Sequence, residues 1–272
     1  VAIGLESAGT AIYDTDFTSN SAIRIITVAG GNGPGYNANQ LYNPNSVFVD
    51  AQGNIYVGDY HNGRIQKWAP GAITGETVIS GLGGYYMDFD IDANGTIYVM
   101  DHNMHYVKKY VSGDTTGVIV AGGNGRGPGA GQLSYPRGIF VDELGNIFIA
   151  DSDNNRIQKW EPGAIKGITV AGGNGQGGAA NQLSIPFAVD VDSEGDLYIA
   201  DSHNYRIQKW EPGASSGTTI VNLAMVSGNE MYATDIFVND NGAIYVCDQN
   251  KHQILKFASE SSSGVLVAGG NN

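Results

Sequence analysis

A stretch of some twenty residues returns along this chain faithfully enough to decide what it can fold into. It reads GNIYVGDYHNGRIQKWAPGA from Gly53, GNIFIADSDNNRIQKWEPGA from Gly145 and GDLYIADSHNYRIQKWEPGA from Gly195. Two worn copies start at Gly95 and Gly242, and a more divergent one, GTAIYDTDFTSNSAIRII, starts at Gly9. A period of roughly 45 to 50 residues belongs to propeller blades and not to helical solenoids.

Each copy parses into four short strands. Val47-Phe48-Val49 ends in Asp50, a glycine turn leads to Ile55-Tyr56-Val57, a polar turn after Asp59 precedes Arg64-Ile65-Gln66-Lys67-Trp68, and a Pro-Gly-Ala turn precedes Thr77-Val78-Ile79. These runs are β-branched and aromatic, and no amphipathic helical pattern of useful length interrupts them. The expectation is an all-β, six-bladed propeller of four-stranded antiparallel blades. It forms one domain over 1–272, with blades near 1–30, 44–80, 86–122, 136–172, 186–222 and 233–270. Closing strands into a ring protects their edges.

Charge narrows the partners. With 14 Lys and Arg against 27 Asp and Glu, the net charge of -13 disfavours attraction to nucleic-acid phosphates or anionic lipid. The apolar runs are strand-sized, so no membrane insertion is expected. The one cysteine, Cys247, supports neither an internal disulfide nor a cysteine-rich zinc site. The chain begins at Val1, which fits a processed form or a fragment, and a secreted or extracellular setting and a monomeric state are the working expectations.

The lead-in prolines Pro44, Pro136 and Pro186, the apolar strand ending in Asp, the string Gly-Asn-Ile-Tyr-Val-Ala-Asp and its variants, and the Asn-x-Arg-Ile that follows resemble the NHL-repeat family. The copies near Tyr86 and Ala233 lack the proline. The histidine slot of the family name holds His105 and His252, but Gly63, Asn155 and Tyr205 elsewhere. The resemblance implies that the turns between second and third strands share a binding face with the long connections between blades. Zinc-holding amidating lyases are relatives of this family, yet no histidine here falls in an inner strand. His102 and His105 are the one pair that shares a blade.

On that face the connections Ala29–Gly33, Ala121–Gly125 and Ala171–Gly175 look like phosphate cradles, but they precede strands where a phosphate loop needs a helix. The recurring Asp59/Arg64, Asp151/Arg156 and Asp201/Arg206 pairs read as charge-assisted hydrogen bonds of the scaffold. The connections before the third and sixth repeats depart from the glycine-rich pattern and carry Tyr85, Tyr86, Glu230 and Tyr232. Together with Arg137 these are the candidate ligand contacts, lining an aromatic and acidic trough for a peptide, protein or glycan.

Inner strands supply a second candidate site. Aligned on their terminal acid they place Phe48, Asp90, Phe140, Asp190 and Phe237 in one column, and Ser46, Asp88, Gly138, Ala188 and Asp235 in another. Carboxylates in apolar strands need partners. Asp88, Asp90, Asp190 and Asp235 are therefore the candidate ligands of a hard cation such as Ca2+. Three functions stay open: a non-catalytic recognition or scaffold propeller, a calcium-dependent hydrolase like the lactonases of related folds, and a structural module of a longer extracellular protein.

Overall fold

The computed structural model describes residues 2–6, 10–13, 26–83, 87–226, 231–259 and 261–270. Five four-stranded antiparallel sheets follow one another along the chain: β3–β6 (Ser46–Val49, Ile55–Asp59, Arg64–Trp68, Glu76–Ser80), β7–β10 (Met87–Ile91, Ile97–Asp101, Tyr106–Tyr110, Val118–Gly122), β11–β14 (Gly138–Val141, Ile147–Asp151, Arg156–Trp160, Ile168–Gly172), β15–β18 (Ala188–Val191, Leu197–Asp201, Arg206–Trp210, Thr218–Asn222) and β19–β22 (Ala233–Val238, Ile244–Asp248, Gln253–Phe257, Gly264–Gly269). They are blades one to five below. The described helix is α1, Leu223–Val226, with 3-10 turns at Tyr60–Asn62, Ser152–Asn154 and Ser202–Asn204.

Every second strand is buried or nearly so, since it lies mid-blade with sheets packed on both faces. Cores form between blades as well as within them. Trp160 of blade three packs with Tyr98 and Met100 of blade two, and Trp210 of blade four with Phe148 and Ile157 of blade three. The aromatic that ends each third strand is thus cement between neighbours. It leaves room for nothing beside it: a Cβ at Gly167 would come 2.7 Å from the Trp160 ring.

The expected six four-stranded blades are corrected to five. Among the described residues the N-terminal repeat supplies a two-stranded sheet, β1 (Ala2–Glu6) with β2 (Thr10–Tyr13), and no four-stranded blade. β1 lies against β3 of the first blade on one side and β20 and β21 of the last on the other. The sequence explains the shortfall. The sequence of this repeat contains no Arg-Ile-Gln-Lys-Trp segment followed by a Pro-Gly turn, and Ile26–Ala29 copies the Ile-Thr-Val-Ala of β14 without forming a strand.

Candidate binding face

The turns after each second strand and the connections between blades are stitched together, which fixes one face of the ring. In blade one the Asp59 carboxylate accepts from Arg64 Nε at 2.7 Å and from Tyr42 N–H at 2.6 Å. The rest of the Arg64 guanidinium donates to the carbonyls of Tyr36, Asn37 and Gln40. Blades three and four repeat this lock. Arg156 joins Asp151 to the carbonyls of Pro128, Gly129 and Gln132, and Arg206 joins Asp201 to those of Gly178, Ala179 and Gln182. Asn62, Asn154 and Asn204 each add a bond to the same carboxylate and one to the loop.

This is why Asn stands two residues before Arg in these three copies. The planar fork of arginine ties several carbonyls that no strand would otherwise satisfy. Blades two and five lack the long Ala-Gly-Gly-Asn-Gly connection before them, and Tyr106 and Gln253 replace the arginine. Burial raises the pKa of Asp151 and Asp201 in spite of their arginines. The glycine loops themselves are filled by their own side chains: Asn32 and Gln40, Asn124 and Gln132, and Asn174 and Gln182 bond across them.

The inner-strand acids brace adjacent blades. Asp90 accepts from Ile91 N–H of its own strand at 2.8 Å and from Val141 N–H of blade three at 2.6 Å. Asp190 does the same for Val191 and for Val238 of blade five, at 2.8 and 2.6 Å. Asp88 joins Phe89 N–H to Ile139 N–H of blade three, and Asp235 accepts from Ile236 N–H. The Asp and Phe alternation of this column follows: one acid satisfies the amides of two neighbouring inner strands, so the blade between can carry Phe140.

Burial pushes Asp90 and Asp190 up to about 7 and Asp235 to about 6. Asp88 is raised well above the usual range by burial and then by repulsion from Asp235. Asp235 stays in contact with solvent although protein atoms crowd around it. Among the described residues, the carboxylates that gather three ligand atoms within 4.8 Å are Asp192, Glu194 and Asp196, in the β15–β16 turn at the far end. The four channel acids do not converge that closely, and their oxygens are directed at backbone amides, an arrangement that suits strands better than the six to eight oxygens of calcium.

Of the trough residues, Tyr85, Tyr86 and Glu230 lie outside the described residues. Arg137 and Tyr232 come together through Phe187: the guanidinium lies 4.3 Å over the Phe187 ring, whose edge meets Tyr232 at 5.0 Å. Tyr232 Oη is 2.6 Å from His203 Nε2. A second group holds Arg126 over Tyr135 at 4.4 Å, with His102 and His105 against the same ring. Burial lowers the pKa of both histidines, and His102 Nδ1 donates to the Pro136 carbonyl, as Ser152 Oγ donates to Pro186 and Ser202 Oγ to Ala233. His102 thus fills a latch position between blades.

Phe187 and Tyr135 were not among the residues singled out from sequence. Their signal was positional: Arg137 and Phe187 both follow a lead-in proline, and Tyr135 precedes one.

Comparisons with known proteins agree with this architecture. The NHL repeat matches residues 41–68, 133–160 and 183–210, the first three strands of the three arginine-locked blades with the lead-ins before them. A search of curated proteins returned no match. Among solved structures, a streptogramin B lyase superposes with a TM-score of 0.60 at 13% identity, covering 84% of this chain and 69% of that one. The nidogen/laminin complex gives 0.64 at 16%, covering 82% and 78%. An auxiliary nutrient binding protein from Bacteroides thetaiotaomicron gives 0.52 at 20%, covering 62% and 47%. At these identities the likeness is one of fold.

Proposed function

Because this chain is a β-propeller carrying NHL repeats, we propose that it is a non-catalytic recognition or scaffold module that binds a peptide, protein or glycan on its loop face. One observation carries the reading. Three chemically identical Asp-Arg locks hold loops whose outward residues differ from copy to copy, which is how a rigid frame presents variable contacts. The fold also serves in a protein complex, that of nidogen with laminin, and in lyases, so fold alone does not choose. The choice rests on chemistry. Of the described histidines of this face, His61 stacks on Tyr42, His102 is latched, His105 and His203 lie against tyrosine rings and His252 is exposed, while the arginines lie in locks or over rings, an arrangement without a nucleophile, base and orienter in series. Tyr85, Tyr86 and Glu230 remain part of the proposed face together with Arg137 and Tyr232.

The test is a screen of the immobilised chain against peptide and glycan libraries, followed by Arg137→Ala and Tyr232→Ala, with Glu194→Ala at the opposite end as control. The reading expects binding to weaken at least tenfold in loop-face variants that melt normally and to persist in the control. Binding that maps to the opposite end, or hydrolysis of lactones or esters that Asp88→Asn abolishes, overturns it.

A further inference from the structure

The connection that enters blade one departs from its two structural copies in one consistent direction. Tyr36 stands where the others have Pro128 and Gly178, Tyr42 where they have Ser134 and Ser184, and Tyr60 where they have Ser152 and Ser202. Proline, glycine and serine evidently suffice for the fold, since the Asp-Arg locks beneath are the same. The tyrosines are also displayed: Tyr36 is 61% exposed and Tyr42 48%. Their rings are held in place. The Arg64 guanidinium lies 4.3 Å from the centre of the Tyr36 ring, and the His61 ring stacks on Tyr42 at 4.7 Å and meets Tyr60 at a tilt at 4.6 Å.

The surroundings of these rings share a second property. No charged residue occurs from Ile26 to Val49, and Arg64 against Tyr36 is buried and paired with Asp59, whereas the matching connection of blade three carries Arg126 and Arg137. In place of charge there are amides: Asn37 and Asn43, next in sequence to Tyr36 and Tyr42, and Asn45 are all exposed. Flat aromatic faces take up the apolar C–H face of a pyranose, and neutral amides and an imidazole offer both donors and acceptors to its hydroxyls. A fixed charge would bring its own hydration to be stripped without an ionic partner in return. A peptide is less well served, because Arg64 already occupies the carbonyls of Tyr36, Asn37 and Gln40 through which an extended strand would pair.

We propose that the loop face of blade one binds a neutral oligosaccharide, with Tyr36, Tyr42 and His61 as stacking and polar platform and Asn37, Asn43 and Asn45 as hydroxyl contacts. This rests on the recognition reading above and names its ligand class. Preorganisation by the lock and by the stacked rings lowers the ordering cost of binding.

Affinity electrophoresis of the full chain through gels containing starch, xylan, glucomannan or mixed-linkage β-glucan, followed by titration with the hexasaccharide of any polymer that retards it, tests the proposal. At least one should retard the protein. The double variant Tyr36→Gly/Tyr42→Ser, which installs the residues of blade four, should raise Kd at least tenfold while melting as the parent does. His61→Ala alone should weaken binding several-fold and guards against a double variant that fails to fold. Absence of retardation by every polymer, or equal affinity in the variants, overturns the proposal. A peptide library that binds through Arg137 and Tyr232 while no saccharide binds would overturn it and leave the recognition reading standing. Ligands that map to the opposite end would remove both.

Discussion

The connection entering blade one and those entering blades three and four begin alike, cross the face alike and are fastened by the same aspartate, asparagine and arginine, yet the side chains they turn outward belong to different chemistries. Blade one shows tyrosine and amide, blade three places Arg126 and Arg137 on aromatic rings, and blade four offers Phe187 packed under Arg137 and against Tyr232. The lesson is a division of labour within each repeat. Residues that satisfy loop carbonyls are held constant because a buried polar group without a partner costs about 1–3 kcal/mol. Residues above them bear no such burden and are free to differ.

That comparison breaks most visibly if the locks are unequal. Removing one partner of a buried ion pair strands the other, so Arg64→Ala and Arg156→Ala should each cost about 3–5 kcal/mol in urea unfolding. Similar losses in both confirm a common frame. A loss confined to one would show that the loops are held by different means.

A smaller effect separates the frame from the channel beneath it. Asp90 and Asp190 have folded pKa values near 7, above the unfolded value, so the folded state holds extra protons between about pH 4 and pH 7. Stability from this source is present in full at the acid end and is lost as pH rises through 7, by an amount on the order of a few kcal/mol. Melting followed from pH 5 to pH 8 should therefore fall. Asp190→Asn should flatten the slope, and an unchanged slope would detach it from these acids.

Single-residue exchanges between copies should do less. Tyr42→Ser, which makes blade one resemble blade four at an exposed position, should shift unfolding by no more than about 0.5 kcal/mol. A larger loss would mean that the Tyr42–His61 stack belongs to the frame. Least of all is expected from chelation. If backbone amides are the partners of Asp88, Asp90, Asp190 and Asp235, then EDTA and added calcium should leave the melting temperature within error. A rise with calcium would restore the cation reading, since a ligand at a hundredfold its Kd adds about 2.7 kcal/mol.

The repeat made the blades legible because Asp, Gly, Asn and Arg recur at fixed offsets and each offset is a hydrogen bond. It misled at the N-terminus. Gly9 and the strand after it match the motif, but strand propensity alone does not supply the third-strand Arg-Ile-Gln-Lys-Trp against which an outer strand could pair. The column of Asp and Phe was visible in sequence, and its reason was not. A ladder between blades depends on which amides face the seam, and that is set by how neighbouring sheets fan out. Likewise His102 stood out only as the partner of His105 on one blade, while its carbonyl partner at Pro136 lies a blade away.

The shared acids of the inner strands also impose a rule of parity. Asp90 and Asp190 each serve their own blade and the next, so the hydrogen-bonding unit around the axis is a pair of blades although the folding unit is one. Excising blade three alone would set Asp90 beside Asp190 and crowd two acids into one seam. Excising blade four alone would set Phe140 beside Phe237 and leave the Val238 amide unserved. Excising both would bring Asp90 next to Phe237 and preserve the alternation. Gain or loss of repeats in a ring built this way is cheapest in twos.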